Sequence, residues 1–140
     1  MEYNILGNTG LRVSYLCFGS LSISPLQSKF SLEAGADIIN LAIDCGVNFI
    51  DTAEFYQNYD YISKALKRTK KDIVITTKSY AYTYDGMKNS VEKARRELDR
   101  DVIDIFMLHE QESRLTLKGH REALEYLQNA KAKGQIKAIG

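Results

Sequence analysis

Four side chains in this sequence can hold or transfer a proton and lie where strands are expected to end: Asp51, Tyr56, Lys78 and His109. Three of them directly follow a mainly apolar segment that is too short for a helix, at residues 47–50, 73–77 and 103–108. Tyr56 comes five residues after Asp51 and is therefore expected in a loop. Parallel strands bring their carboxyl ends to one edge of a sheet or barrel, where ligands bind, so we expect the four side chains to form one catalytic cluster.

The segments between these strands predict helices. We predict helices within residues 31–45, 59–66, 87–98 and 121–133, the first beginning after Ser31 as N-cap and ending before Gly46 as C-cap. The inward face of the first helix is predicted to carry Ala34, Ile38, Leu41, Ala42 and Cys45. Four strand–helix units and a fifth strand at 135–140 predict a parallel sheet with right-handed crossovers.

The N-terminal part predicts a hairpin and a first parallel strand. Residues 3–6 and 11–15 are β-prone and flank a Gly-Asn-Thr-Gly turn. Residues 16–18 predict a fully buried strand, after which Gly19-Ser20 could bring the backbone close to a ligand. The tyrosine-rich loop 79–86 is equally compatible with the wall of a substrate pocket and with a surface position.

The composition restricts the kinds of partner. The chain has 140 residues, of which 19 are basic and 18 acidic, and this balance favours neither nucleic acid nor an anionic membrane. No apolar run approaches the ~18 residues of a membrane span. The N-terminus lacks a signal-sequence pattern, so we expect a cytoplasmic protein. No His, Cys or carboxylate group has the spacing of metal ligands, so no metal is predicted.

The two cysteines and the basic run 67–71 have ordinary interpretations. Cys17 and Cys45 each lie in an apolar segment without a histidine or CxxC partner, which favours buried thiols over a disulfide or a nucleophile. The basic run is typical of a solvated helix end, where cations complement the helix dipole.

These residues resemble the signatures of the aldo-keto reductase family. Residues 46–53, Gly-Val-Asn-Phe-Ile-Asp-Thr-Ala, with Tyr56 five positions after the aspartate, resemble the family's strand-two motif. Lys78 after two threonines resembles the strand-three lysine, and His109 after Ile-Asp-Ile-Phe-Met-Leu resembles the strand-four histidine. The opening segment 5–14 is similar to the hairpin that closes the family's barrel floor. The resemblance covers essentially the whole chain.

The resemblance implies an α/β fold of the parallel (β/α) TIM-barrel type, about the first half of a (β/α)8 barrel preceded by an N-terminal β-hairpin. A complete barrel needs ~250 residues. We therefore expect residues 1–140 to be a single domain, the N-terminal half of a barrel and either truncated or a natural fragment. Half a barrel exposes two strand edges and an apolar face, so we expect the fragment to self-associate and to have little activity alone.

The reaction implied by the resemblance is the reduction of an aldehyde or ketone to an alcohol by NADPH. Tyr56 would give its proton to the carbonyl oxygen, and the nearby ammonium of Lys78 would favour the resulting phenolate. Asp51 would keep Lys78 charged and oriented. His109, as a neutral imidazole, would donate a hydrogen bond to the carbonyl oxygen.

The resemblance also implies where the cofactor lies. Asp51 would touch its ribose, and the backbone of Gly19 and Ser20 is a candidate for contact near the nicotinamide. The residues that bind its phosphates would come after Gly140.

The sequence departs from the family pattern near the tyrosine. Gln57 stands where glycine is common, and Tyr59 and Ser63 replace an acidic residue and a glycine found in many members. Cys17 stands in place of another glycine. These differences leave the substrate and the subfamily open.

Two other functions remain compatible with the sequence. Lys78 could be the Schiff-base nucleophile of an aldolase-like lyase, a hypothesis that borohydride trapping would test. Alternatively, the protein could be a non-catalytic regulatory or binding subunit with the aldo-keto reductase fold. An effect that survives the change Tyr56→Phe would favour that alternative.

Overall fold

The computed structural model describes all 140 residues, as a parallel five-stranded sheet preceded by an antiparallel hairpin. The strands are β1 (Tyr3–Ile5), β2 (Arg12–Ser14), β3 (Phe18–Gly19), β4 (Phe49–Asp51), β5 (Val74–Ser79), β6 (Ile103–Leu108) and β7 (Ile136–Ile139). The helices are α1 (Leu32–Asp44), α2 (Tyr59–Leu66), α3 (Tyr84–Glu97), α4 (Arg114–Gly119) and α5 (Arg121–Ala132). Short 3₁₀ turns cover Ser20–Ile23 and Glu54–Tyr56.

The strand order confirms the predicted α/β topology. The parallel strands are arranged β3-β4-β5-β6-β7, in sequence order, with a helix between each consecutive pair. The hairpin strands pair antiparallel, with Tyr3 opposite Ser14. In the parallel sheet, Gly19 is opposite Asp51, and Asp51 is opposite Thr76. The register therefore aligns the carboxyl ends of β3 and β4 with the interior of β5.

The two faces of the sheet differ in how they are covered. On the helical face, strand residues such as Ile75 and Phe106 pack with helix residues such as Val91 and Leu127 in a cluster of 23 buried residues. On the other face a smaller cluster forms among Leu11, Val13, Val74, Ile105 and Ala138. Because neighbouring strand residues point to opposite faces, β5 and β6 contribute to both clusters, as Val74 and Ile75, and Ile105 and Phe106, show.

The hairpin is fixed to the start of β4 by one side chain. The Asn48 side-chain amide donates to the carbonyl oxygen of Arg12 at 2.9 Å, and its Oδ1 accepts from the Ser14 backbone N–H at 2.6 Å. The Asn48 backbone N–H in turn donates to the Ser14 hydroxyl at 3.1 Å. These bonds hold the hairpin against the amino end of the sheet, opposite the edge that carries the candidate site.

The prediction of a fully buried strand over residues 16–18 was wrong. The strand comprises only the half-buried Phe18 and the exposed Gly19, and Leu16 is 63% exposed. Cys17 and Cys45 are likewise exposed rather than buried. β3 is an edge strand that pairs only with β4, so no second neighbour covers the residues before it.

The predicted helices exist, with local differences. α3 begins at Tyr84 instead of residue 87, because the Thr83 hydroxyl accepts from the Gly86 N–H and caps the helix earlier. α4, which follows the capping box of Ser113 and Thr116, was not predicted. None of the helices is long and apolar enough to cross a membrane.

The buried face of α1 also differs from the prediction. The structure buries Gly35, Ala36, Ile39 and Ile43, whereas Leu41 is exposed. The cause is the packing of α1 on α2: a Cβ on Gly35 would lie 2.5 Å from a ring carbon of Tyr61. The absence of a side chain at residue 35 lets this face approach α2.

We predict that Gly35→Ala lowers the free energy of unfolding by about 1–3 kcal/mol, as overpacking does, although alanine favours helix. The Tyr61 ring cannot yield easily, because it is buried and its hydroxyl donates to the Phe30 carbonyl at 2.8 Å. Urea unfolding measures the change. The control is Gly119→Ala, where nothing lies within 4 Å of the new Cβ and a change below about 0.5 kcal/mol is expected. Equal effects of the two substitutions would contradict the packing argument.

Candidate active site

All four predicted site residues lie at the carboxyl edge of the parallel sheet. Asp51 is the last residue of β4 and Tyr56 ends the 3₁₀ turn that follows it. Lys78 is the penultimate residue of β5, and His109 directly follows β6. The structure thus brings together side chains that are up to 58 positions apart in the chain.

An ion pair forms the base of this cluster. Lys78 Nζ lies 2.9 Å from each carboxylate oxygen of Asp51 and donates to the Thr52 carbonyl oxygen at 2.7 Å. The Lys78 side chain is 14% exposed. A partly buried ammonium needs such acceptors, because burial disfavours an uncompensated charge. The pair therefore fixes the direction of the lysine side chain.

The Tyr56 ring is close to both this cation and the histidine. Lys78 Nζ is 5.0 Å from the centre of the Tyr56 ring. The Tyr56 and His109 rings meet edge to face, with their centres 5.9 Å apart and an angle of 76° between their planes. The ring of one ionisable side chain thus has an ammonium and an imidazole as neighbours.

His109 is held at the sheet edge and away from water. Its backbone N–H donates to the Ser79 carbonyl at 3.0 Å, and its side chain is largely buried. Burial, and then the positive charge of Lys78, lower the pKa of His109 below its usual value. The imidazole is therefore neutral at pH 7 and retains one N–H donor.

The turn that carries Tyr56 is fixed by a buried polar network. The Thr52 hydroxyl donates to Oδ1 of Asn58 at 2.9 Å, and the Asn58 side-chain amide donates to the Ser20 carbonyl oxygen at 2.9 Å. All three residues are fully buried. The network ties the loop after β4 to the loop after β3, and so positions the turn between Thr52 and Asn58.

A left-handed residue follows two of the four site residues. Gln57, after Tyr56, has φ 56°, and Glu110, after His109, has φ 52°. This conformation costs a non-glycine residue roughly 1–2 kcal/mol. Gln57 stands where the motif that this segment resembles commonly has glycine, and the structure holds it in a conformation that favours glycine.

We predict that Gln57→Gly raises the free energy of unfolding by about 1 kcal/mol, because glycine adopts this conformation without strain. The Gln57 side chain is exposed and makes no hydrogen bond that would be lost. The matched control is Lys88→Gly at an exposed position inside α3, which should lower stability by about 0.5–1 kcal/mol. Urea unfolding distinguishes them, and a loss of stability at both positions would refute the strain.

An open cavity of about 570 Å³ adjoins the ion pair on the non-helical face of the sheet. Its walls include Gly19, Phe49, Asp51, Ile105 and Met107, and none of its lining residues is a lysine or arginine. A flat aromatic ring fits mainly apolar walls, and the Asp51 carboxylate can accept from a sugar hydroxyl. The end of the cavity at Gly19 and Asp51 therefore suits the nicotinamide riboside end of a cofactor, whereas the rest of the cavity extends to Leu6 and Thr9 of the hairpin, and no lining residue offers a cation for the phosphates.

The two residues proposed for backbone contact with the cofactor differ in position. Gly19 lines the cavity, with open space where a side chain would be. Ser20 is fully buried at the start of the 3₁₀ turn, and its carbonyl oxygen already accepts from Asn58. Only Gly19 of this pair faces the space that a ligand could fill.

Cys17 also lines the cavity, although the sequence suggested an ordinary core thiol. Partial burial, and then the Asp51 carboxylate, raise the pKa of Cys17 to about 11. The residue is therefore a thiol rather than a thiolate at neutral pH, and it adds a small polarisable wall.

Comparison with known proteins decides the family. The aldo/keto reductase family model matches residues 15–140. The chain belongs to this family. Among its curated relatives, L-galactose dehydrogenase of Arabidopsis thaliana is 31% identical, over 100% of this chain and 48% of the relative. A probable voltage-gated potassium channel subunit beta of the same organism is 27% identical, over 91% of this chain and 43% of the relative.

Solved aldo-keto reductases share the fold. The enzyme from Bacillus halodurans in its holo form has a TM-score of 0.81 at 25% identity, with 100% of this chain and 50% of that one covered. A thermostable aldo-keto reductase in complex with epalrestat gives 0.84 at 29% identity, covering 100% and 53%. These neighbours are (β/α)8 barrels. The chain spans about half the length of the curated relatives it matches.

Some contributors to the site in this aldo-keto reductase could not be read from the sequence. The Thr52 carbonyl that accepts from Lys78 is a backbone group, which any residue type provides. Tyr80 stacks on His109, with ring centres 4.2 Å apart. The only signal for Tyr80 was the tyrosine-rich loop after β5, which did not indicate which tyrosine turns inward.

Proposed function

We propose that this aldo-keto reductase reduces an aldehyde or ketone to the alcohol, with NADPH as hydride donor and with Asp51, Tyr56, Lys78 and His109 as its active site. The observation that carries the proposal is that the Tyr56 ring has both a fixed ammonium and a neutral imidazole as neighbours. We further propose that residues 1–140 are one domain, the N-terminal half of the barrel. The cofactor's phosphates would then bind residues outside this segment.

In the proposed reaction the carbonyl oxygen lies against Tyr56 and His109. The neutral His109 donates a hydrogen bond to that oxygen and orients the carbonyl group. NADPH, when bound, supplies the hydride that forms the new C–H bond at the carbonyl carbon. The Tyr56 O–H bond breaks and its proton goes to the oxygen, so that the product is a neutral alcohol.

The ion pair stabilises the phenolate that forms when Tyr56 loses its proton. Loss of the proton produces a phenolate, and the ammonium of Lys78, 5.0 Å from the ring centre, stabilises that negative charge. Asp51 holds the ammonium in place at 2.9 Å. Water then returns a proton to Tyr56 before the next cycle.

We predict that Tyr56→Phe lowers kcat of the natural gene product by about 10²–10⁴, the usual contribution of a general acid. Oxidation of NADPH in the presence of a panel of small aldehydes and ketones measures it by absorbance. Tyr15→Phe, which removes an exposed hydroxyl outside the site, serves as the control. A Tyr56→Phe protein as active as the control would overturn the assignment of the acid.

The lyase alternative finds less support in the geometry. A Schiff-base lysine must present a neutral amine to the substrate, whereas Lys78 Nζ donates to Asp51 and to the Thr52 carbonyl. Borohydride trapping with a carbonyl substrate tests the point, since a covalent adduct at Lys78 would favour the lyase over the reductase.

A regulatory subunit is the second candidate function, favoured by the similarity to a probable channel subunit beta. Carbonyl reduction and the biological effect of Tyr56→Phe distinguish the two functions. If the gene product reduces no carbonyl compound and its biological effect survives Tyr56→Phe, the regulatory function replaces the reductase.

We predict that the isolated 140-residue chain self-associates at micromolar concentration. β3 and β7 are unpaired on their outer edges, and the cavity face between them presents apolar side chains such as Phe49 and Met107. Another copy of the chain offers the same edges and the same face. Sedimentation equilibrium measures the mass, and a monodisperse monomer would contradict the prediction.

A further inference from the structure

The side chain of His109 is held by packing alone. Its Nδ1 is buried and has no hydrogen-bond partner, and neither ring nitrogen takes part in a hydrogen bond within the chain. Functional histidines usually have their ring orientation set by a hydrogen bond from the second nitrogen. In this protein, the orientation must therefore come from the groups that touch the ring.

Two tyrosines provide those contacts. Tyr80 stacks on the imidazole, with ring centres 4.2 Å apart and planes at 17°, and Tyr56 meets it edge on at 5.9 Å. Stacked rings share far more surface than an edge contact, so Tyr80 restricts the imidazole more strongly. Phe55 supports Tyr80 from the side, with ring centres 5.9 Å apart at 88°.

We propose that Tyr80 is a positioning residue of this active site: its ring holds the His109 imidazole in the plane that serves the carbonyl oxygen and covers it from water. The proposal concerns the reductase site proposed above and depends on that function only for its kinetic consequence. The stacking itself can be tested without any substrate.

The electrostatic surroundings agree with this role. Interaction with the carboxylate of Glu110, followed by burial, raises the pKa of Tyr80 to about 12, so its ring remains a neutral phenol at physiological pH. The pKa of His109 is lowered, first by burial and then by the charge of Lys78. The titratable groups that face His109 are Asp51, Tyr56, Lys78, Tyr80 and Glu110. Removal of the Tyr80 ring admits water to the imidazole and so removes burial, the larger of the two causes of the lowered His109 pKa.

The position of Tyr80 makes it a suitable residue to substitute. The side chain is 41% exposed and lies in the loop after β5, so its loss leaves no sealed cavity in the core. Tyr82, two residues on, is a matched control: it is 64% exposed and contacts the other histidine, His120, edge on at 6.5 Å. Residues 1–140 contain these two histidines, and substitution of each one assigns its NMR signal.

The test is an NMR titration of the natural gene product labelled with ¹³C in its histidine rings, in wild type, Tyr80→Ala, Tyr80→Phe and Tyr82→Ala, with the two signals assigned by their loss in His109→Gln and His120→Gln. In Tyr80→Ala we expect the His109 midpoint to rise toward the ordinary value of 6.5. Tyr80→Phe keeps the ring and should keep the wild-type midpoint. Tyr82→Ala should change only the His120 signal. An unchanged His109 titration in Tyr80→Ala, or equal shifts in Tyr80→Ala and Tyr82→Ala, would overturn the proposal.

The kinetic consequence is measured on the natural gene product. Tyr80→Ala should lower kcat by roughly tenfold to a hundredfold, the scale expected for a displaced catalytic group, with a smaller effect on KM. Tyr80→Phe should restore most of the loss. If NMR shows the His109 shift but the enzyme reduces no carbonyl, the proposed function fails and the positioning role stands. If the enzyme is active but Tyr80→Ala changes KM alone, Tyr80 contacts substrate and does not position His109.

Discussion

The ion pair between Lys78 and Asp51 is the constraint on which the site depends. An ammonium group on a side chain that is only 14% exposed needs close acceptors, and Asp51 and the Thr52 carbonyl supply them within 3 Å. Those acceptors lie at the end of β4, and the parallel pairing of β4 with β5 brings them under the lysine. The sheet register is thus what allows a cation to reside beside Tyr56.

The two faces of the sheet are packed unequally, and the more densely packed face stabilises the strands that carry the site. The helical face buries most of the apolar side chains, in a cluster that includes Ile50, Ile75 and Phe106. That packing fixes the strands, so their carboxyl ends can carry polar groups with few partners of their own. His109 shows the result: its backbone completes the ladder to Ser79, while its ring depends on stacking with aromatic neighbours.

The sequence predicts the strand order and the cluster because both follow from local pattern. Lys78 and His109 each follow an apolar segment, and parallel strands bring the ends of such segments to one edge of the sheet. The predicted inward face of α1 was wrong because the contact of Gly35 with Tyr61 joins two helices and leaves no local signature. The exposure of Cys17 reflects an edge strand with a single neighbour, which composition does not reveal. The stacking of Tyr80 on His109 likewise joins residues that follow two different strands, β5 and β6, and so leaves no local pattern in the sequence.

The most direct test of the central claim is a double-mutant cycle on kcat of the natural gene product at saturating NADPH, with Asp51→Asn, Lys78→Met and the two together. If Asp51 acts on the chemical step by holding the ammonium of Lys78, its substitution has nothing left to remove from kcat once the lysine is gone, whereas a contact with the cofactor ribose changes cofactor binding. The account predicts that the double variant matches Lys78→Met within about twofold. Losses that multiply across the two positions would show that Asp51 and Lys78 act independently, and would contradict the account.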